Sequence, residues 1–273
     1  MTLASQGYQQ MVGATSAMKS GTGRRFLQIG GMAALLADII RKISLKSSER
    51  RNYCWITPEG NMRKATRIVA ASLGVAAGIA GLEHGYFEVL QGNVQPSGLM
   101  IASMGPPCDP KIVWNACEPA LTIIPNFLLT GILSVIIGLL MVIWSAAFIQ
   151  RKHGGLILIL LSVALLLFGG GIFPPVIGLI GGIAGTRINK PLNRQAGQRT
   201  DGLWRFLAKL WPWPLVILMI WLLGQFVVGQ AFNDLLKRNA ALSLLLIISL
   251  LPLSAFTAYA RDVQTKMNEE QVK

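Results

Sequence analysis

Three ionisable residues, Glu83, His84 and Glu88, lie close together in an otherwise apolar stretch of the chain. On a helix, His84 and Glu88 share one face because they are four residues apart, while Glu83 points elsewhere. Ionisable groups in lipid are costly and usually face the bundle interior or a water-filled cavity. The cluster therefore predicts a proton or cation site in which His84 titrates. The alternative is a hydrated interface, where the carboxylates are solvated or hydrogen-bonded to the next loop.

Signs of metal or enzyme chemistry are weak. The pair His84 and Glu88 supplies only two ligands, fewer than a zinc site uses. The chain has no Walker loop, no G-x-S-x-G elbow, no H-E-x-x-H and no dinucleotide fingerprint. The sequence thus predicts no metal, no cofactor and no catalytic residue, and it disfavours an enzyme.

The segment that carries the cluster has the properties of a membrane-spanning helix over about residues 68–90, preceded by basic residues. Four glycines recur along one of its helical faces: Gly74, Gly78, Gly81 and Gly85. Gly178 and Gly182, in a later apolar segment, are also four residues apart. Because packing holds helices together in lipid, such glycines predict close helix contacts, within the chain, in a homo-oligomer or with partner membrane helices.

The composition points to lipid as the main partner. Of the 273 residues, 52% are hydrophobic and only 14% are charged, whereas a soluble domain averages about 25% charged. The net charge of +13 is spread between apolar segments. That distribution fits an anionic cytoplasmic leaflet and argues against nucleic acid as a partner.

We predict an all-α polytopic membrane protein with about six transmembrane segments. The apolar run from 154 to 185 is too long for one ordinary helix, and the Gly/Pro-rich turn at 169–175 divides it into a hairpin. The second arm rises only about 21 Å, less than a hydrocarbon core of about 30 Å, so it either thins the bilayer or is re-entrant. The six segments are about 68–90, 120–149, 154–170, 174–187, 211–231 and 240–260.

Charge asymmetry favours six segments over five. Six segments place 22 of the 25 Lys and Arg residues on one side, whereas a single span at 154–185 would leave only 15 there. By the positive-inside rule, both termini are then cytoplasmic. One bounding membrane with this bias fits the plasma membrane of a prokaryote.

The ends of the chain are polar. Residues 1–61 are predicted to be a basic, partly disordered cytoplasmic extension with an interfacial helix at 24–43. A second interpretation starts the protein at Met62, because a short basic stretch and an apolar run follow it directly. Residues 261–273 are predicted to be a cytoplasmic tail.

Two cysteines share the loop between the first two segments. Cys108 and Cys117 are nine residues apart, and outside the cytoplasm they would form a disulfide. The alternative, a zinc site, lacks a histidine in this loop. Asp109 and Glu118 of the same loop could add acidic groups above the ionisable cluster; otherwise the loop is a rigid plug.

Four stretches resemble a group of uncharacterised prokaryotic multi-pass membrane proteins. They are GLEHGYFEVLQGN (81–93), PPCDPKIVWNACEPALTIIPNF (106–127), WSAAFIQRKHGG (144–155) and GGGIFPPVIGLIGGIAGTRI (169–188). The resemblance covers about residues 62–190. It implies an integral membrane protein and brings no activity or functional residues.

Three functions fit these patterns. The first is a non-enzymatic scaffold or binding component that packs partner helices on its glycine faces. The second is a small transporter or channel with a proton- or cation-linked site at Glu83, His84 and Glu88. The third is a membrane enzyme acting at the outer face.

Overall fold

The computed structural model describes residues 63–103, 118–191 and 202–271. Within them lie eight helices and two short strands. In chain order they are α1 (Lys64–Gln91), β1 (Met100–Ala102), β2 (Pro119–Leu121), α2 (Phe127–Ala147), α3 (Gly154–Leu167), α4 (Phe173–Gly185), α5 (Gly202–Leu210), α6 (Trp213–Ala231), α7 (Asn233–Arg238) and α8 (Ala240–Gln271). The interpretations of residues 1–61, the start at Met62 and the Cys108–Cys117 disulfide lie outside the described residues.

Helix α1 is the centre of the fold, because it packs against α2, α4, α6 and α8. Its 28 residues correspond to about 42 Å of helix axis. The side chain of the N-cap residue, Arg63, does not cap its N-terminus. Instead, Asp262 of α8 accepts hydrogen bonds from the backbone of Ala65 and Thr66. The start of α1 and the last turns of α8 therefore lie at the same end of the bundle.

Helices α1 and α2 run antiparallel and touch through their backbones. A Cβ atom at Gly78 would lie 2.7 Å from the carbonyl oxygen of Gly138, and one at Gly85 would lie 2.7 Å from that of Gly131. Real Cβ atoms do not come so close to other heavy atoms. Two glycine pairs, seven residues apart on each helix, thus permit the helix contact.

Helices α3 and α4 form an antiparallel hairpin beside α1. Pro174 and Pro175 lie in the first turn of α4, where a missing backbone N–H is tolerated. Gly178 packs on Ser162 of α3, and Gly182 packs on Ile159 of α3. The next element, α5, meets the first part of α6 at a bend of 41° near Trp211-Pro212. Helix α8 continues through Pro252 to Gln271.

Three of the described helices, α1, α2 and α8, are long and apolar enough to cross a membrane, and the bent pair α5 and α6 would make a fourth. The structure thus supports several membrane-spanning helices, three or four by length and composition, and the prediction of six spans is not fully confirmed. Helices α3 and α4 have 14 and 13 residues, or about 21 and 20 Å. They are short because the glycine-rich turn lies in the middle of the apolar run.

Two further expectations need correction. The described residues are mostly helical, but β1 and β2 form a small antiparallel sheet, so the all-α class is not fully met. The second long helix begins at Phe127 rather than near 120, because residues 119–121 pair with β1. Asn126 then caps the helix by accepting a hydrogen bond from Leu129 N at 3.1 Å.

Candidate functional site

The ionisable cluster lies in the last turns of α1, far from its N-terminus. His84 is 20 residues beyond Lys64, or about 30 Å along the axis. As whole residues, His84 is only 2% exposed and Glu88 is 0% exposed. Glu83 projects from another side of the helix and lines a cavity. His84 and Glu88 are therefore buried, and of the three residues Glu83 and His84 line the cavity, so that His84 belongs to both parts of the cluster.

His84 belongs to a hydrogen-bonded network with residues beside the two-stranded sheet. Its Nδ1 lies 2.6 Å from Ser103 Oγ, and Ser103 Oγ donates to the carbonyl oxygen of Glu118 at 3.1 Å. When the serine proton points to Glu118, Nδ1 of His84 is the donor to Ser103. His84 Nε2 lies 3.6 Å from Glu118 Oε2. A proton on Nε2 would form an ion pair with Glu118, and its loss would break that pair.

Glu88 is the most unusual group in this part of the fold. Neither carboxylate oxygen has a hydrogen-bond partner among the described residues. Its side chain is enclosed between Gly131 of α2 and Gly169 at the tip of the α3–α4 hairpin. An unpaired charge is very costly in such an apolar environment. Glu88 is therefore suited to hold a proton or to face a mobile cation.

The backbone conformation and the close contacts of the hairpin tip require glycines after α3. Gly169 and Gly171 have φ angles of +86° and +78°, a region that L side chains rarely adopt. A Cβ atom at Gly169 would contact the Glu88 carboxylate, and one at Gly171 would lie 2.6 Å from the His84 ring. The tip thus packs against both buried members of the cluster.

The sheet connects the loop to this tip. Ile101 pairs with Ala120, and Gln91 Nε2 donates to Ser103 O at 2.8 Å. At the end of β2, Leu121 O accepts a hydrogen bond from Gly169 N at 2.8 Å. Hydrogen bonds therefore link the loop, the end of α1 and the hairpin around His84.

A cavity of about 390 Å³ opens beside the cluster, between α1, α4, α6 and α8. Most of its wall is apolar, and its polar groups come from Glu83, His84, Glu118, Gln225 and Ser243. The lining residues are Ala76, Ile79, Ala80, Glu83, His84, Glu118, Phe173, Pro174, Ile177, Leu222, Leu223, Gln225, Ala240, Ser243, Leu244 and Ile247. Ser243 also accepts a hydrogen bond from Trp221 Nε1 at 3.0 Å. Such a cavity suits a small ligand with one polar end.

The structure places the predicted glycines inside the chain's own bundle. On α1, Gly78 and Gly85 contact α2, and Gly81 contacts Leu165 of α3. Gly74 meets both α2 and α3 through Ser145 and Leu158. Among the described residues, no group of three or more His, Cys, Asp or Glu side chains could hold a metal ion.

Sequence reasoning missed several contributors to the site. Ser103 and Ser243 carry no motif, and only folding brings them to the cluster and the cavity. Gly171 was predicted as part of a turn but not as a support for His84. Glu118, one of the two acidic groups that the sequence offers above the cluster, lies in contact with His84 in the structure.

Comparisons of the chain with protein-family models, curated proteins and solved structures find no match. The described fold defines a mostly helical protein whose apolar helices are long enough to cross a membrane. Within that class, the function must be inferred from the geometry of the site.

Proposed function

We propose that this protein is a transport protein of a prokaryotic plasma membrane, with a proton- or cation-linked site at Glu83, His84 and Glu88. The observation that carries the proposal is the cavity between four helices, into which α1 presents Glu83 and His84. Ionisable groups at membrane depth usually mark ion or substrate pathways. In our interpretation, a proton moves between His84 Nε2 and Glu118, while Glu83 contacts the solute.

The proposed topology has six membrane segments and cytoplasmic ends. Asp262 of α8 bonds to the first turn of α1, so the start of α1 and the end of α8 lie on the same side of the membrane. This arrangement supports an even number of membrane crossings from α1 to α8. The α3–α4 hairpin also extends along most of α1. Near its base, Ile188 accepts a hydrogen bond from Arg63 N at 3.2 Å, while Gly169 at its tip contacts Glu88. These contacts cover about 37 Å of α1. Both arms would therefore cross together with the non-helical residues that flank their helices of 14 and 13 residues.

Transport is better supported than a scaffold that binds partners through glycine faces. The glycines of α1 already contact α2 and α3 of the same chain. They hold the bundle together and leave no glycine surface on α1 for a partner. An enzyme is less well supported. Ser103 and His84 do pair a nucleophile with a base, but Ser103 is fully buried and does not line the cavity.

Flux through purified protein in liposomes tests the proposal. Vesicles loaded with a pH-sensitive dye receive an acid pulse, with valinomycin and potassium to cancel the membrane potential, and radioactive sodium uptake is measured in parallel. We expect flux above that of empty vesicles for at least one ion. Glu83→Gln should reduce it at least tenfold, because the cavity loses its unpaired carboxylate.

Glu269→Gln is the matched control, since it removes the same charge from an exposed position near the end of α8. Its flux should equal that of the unmodified protein. The proposal would be refuted by flux no greater than in empty vesicles, or by equal flux in Glu83→Gln and Glu269→Gln.

Thiol labelling tests the orientation. We expect Cys108 and Cys117 to react with a membrane-impermeant reagent on intact cells only after reduction, since we propose that they form an external disulfide. Labelling that requires cell lysis would instead put this loop in the cytoplasm.

A further inference from the structure

The cavity has a polar end and an apolar body. Its lining residues on α1 run from Ala76 to His84, about 12 Å along the helix axis. Glu83 and His84 are at the far end of this run, next to Glu118. The remainder of the wall is largely aliphatic and includes Leu222, Leu244 and Ile247. The shape and polarity suit a molecule with one charged group on an apolar body.

The residues that line the cavity indicate the sign of the ligand's charge. Two carboxylates, from Glu83 and Glu118, face the cavity, and no Lys or Arg lines it within the described ranges. Glu83 forms no hydrogen bond or ion pair with any described residue, although it lies between packed helices. A positively charged ligand would provide the missing partner.

A bare metal ion fits this cavity poorly. The described residues contain no cluster of three ligating side chains, and a volume of about 390 Å³ greatly exceeds that of one ion. An organic cation fits better, because its apolar part can displace water from the aliphatic wall. Phe173, which also lines the cavity, offers a ring that attracts such a cation.

We propose that the cavity binds an organic ammonium ion, with its nitrogen beside Glu83 and Glu118 and its apolar body against α6 and α8. This inference rests on the proposed transport function and names the class of its solute.

Direct binding to purified protein in lipid nanodiscs tests it, with radiolabelled benzyltrimethylammonium in equilibrium dialysis. We expect saturable binding that excess unlabelled benzyltrimethylammonium displaces, but that benzyl alcohol and benzenesulfonate do not. Glu83→Gln should weaken binding at least tenfold. Leu244→Trp should also weaken it by filling the cavity, whereas Leu245→Trp should not, because this neighbour is exposed and lies outside the cavity.

Each of these binding results either supports the ammonium site or overturns it. Equal displacement by benzyl alcohol or benzenesulfonate would overturn the proposal, as would equal binding by the two tryptophan variants. The tryptophan pair keeps the test valid if Glu83→Gln does not fold. Ion flux without ammonium binding would overturn this inference and leave the transport function standing. Binding without flux of any ion would support the site and overturn the transport function.

Discussion

The hydrogen bonds between α8 and the start of α1 can be tested by replacing Asp262. Its carboxylate accepts three hydrogen bonds from α1, with distances of 2.8 Å from Ala65 N, 2.9 Å from Thr66 N and 2.7 Å from Thr66 Oγ1. The side chain is buried, with 8% of the residue exposed. Asp262→Ala therefore removes the cap of α1 and leaves three donors without a partner.

The expected loss follows from these contacts. A lost N-cap costs about 1 kcal/mol, and each buried donor left unsatisfied costs about 1–3 kcal/mol. Some donors will gain water at the end of the bundle, so we expect Asp262→Ala to lower the free energy of unfolding by about 3 kcal/mol. That loss corresponds to about a hundredfold change in the unfolding equilibrium. Asp262→Asn retains one acceptor oxygen and should cost about half as much.

Equilibrium unfolding in mixed detergent micelles, titrated with sodium dodecyl sulfate, measures these differences. Thr66→Val completes a double-mutant cycle, and its coupling energy with Asp262→Ala should be at least about 0.5 kcal/mol. Asp234→Asn is the control, because this exposed carboxylate has only an ion pair at 4.0 Å with Lys237. A loss in Asp262→Ala no larger than in Asp234→Asn would refute the contact between α8 and the start of α1.

Two glycine substitutions test the packing and the site. Gly78→Ala should lower the free energy of unfolding by about 1–3 kcal/mol, because its Cβ would meet a backbone carbonyl of α2; Gly224→Ala, with open space around it, should be neutral or stabilising in the same detergent titration. Gly171→Ala should abolish most ion flux by displacing the His84 ring. Gly92→Ala has a similar positive φ and no neighbour within 4 Å, so it should cost only backbone strain, about 1–3 kcal/mol, and preserve flux. Equal effects within either pair would contradict these contacts.

Local patterns in the sequence were sufficient to predict most of the helices. The apolar run that ends near Gln91 and the glycine-rich turn after Leu167 both lie where composition placed them. The start of α2 is different, because residues 119–121 pair with β1 and the apolar pattern does not record this pairing. Asn126 before an apolar run is a capping signal that could have corrected the boundary.

The site was less predictable than the helices, since its contacts are distant in sequence. The spacing of His84 and Glu88 showed that they share a helical face, but it could not show that Gly169 and Gly171 would cover them. Asp262 caps a helix that begins almost two hundred residues earlier, and a rule for local capping residues cannot find it.

The backbone bonds at the hairpin tip have a mechanical consequence. Glu118 directly precedes β2, and Gly169 N is bonded to Leu121 at the other end of that strand. Ile123 N donates to Leu167 O at 3.0 Å, which fixes the tip a second time. Glu118 is therefore connected through one short strand to Gly169, the glycine that contacts Glu88. We therefore expect a displacement of Glu118 in the cavity wall to move the glycine that encloses the buried carboxylate.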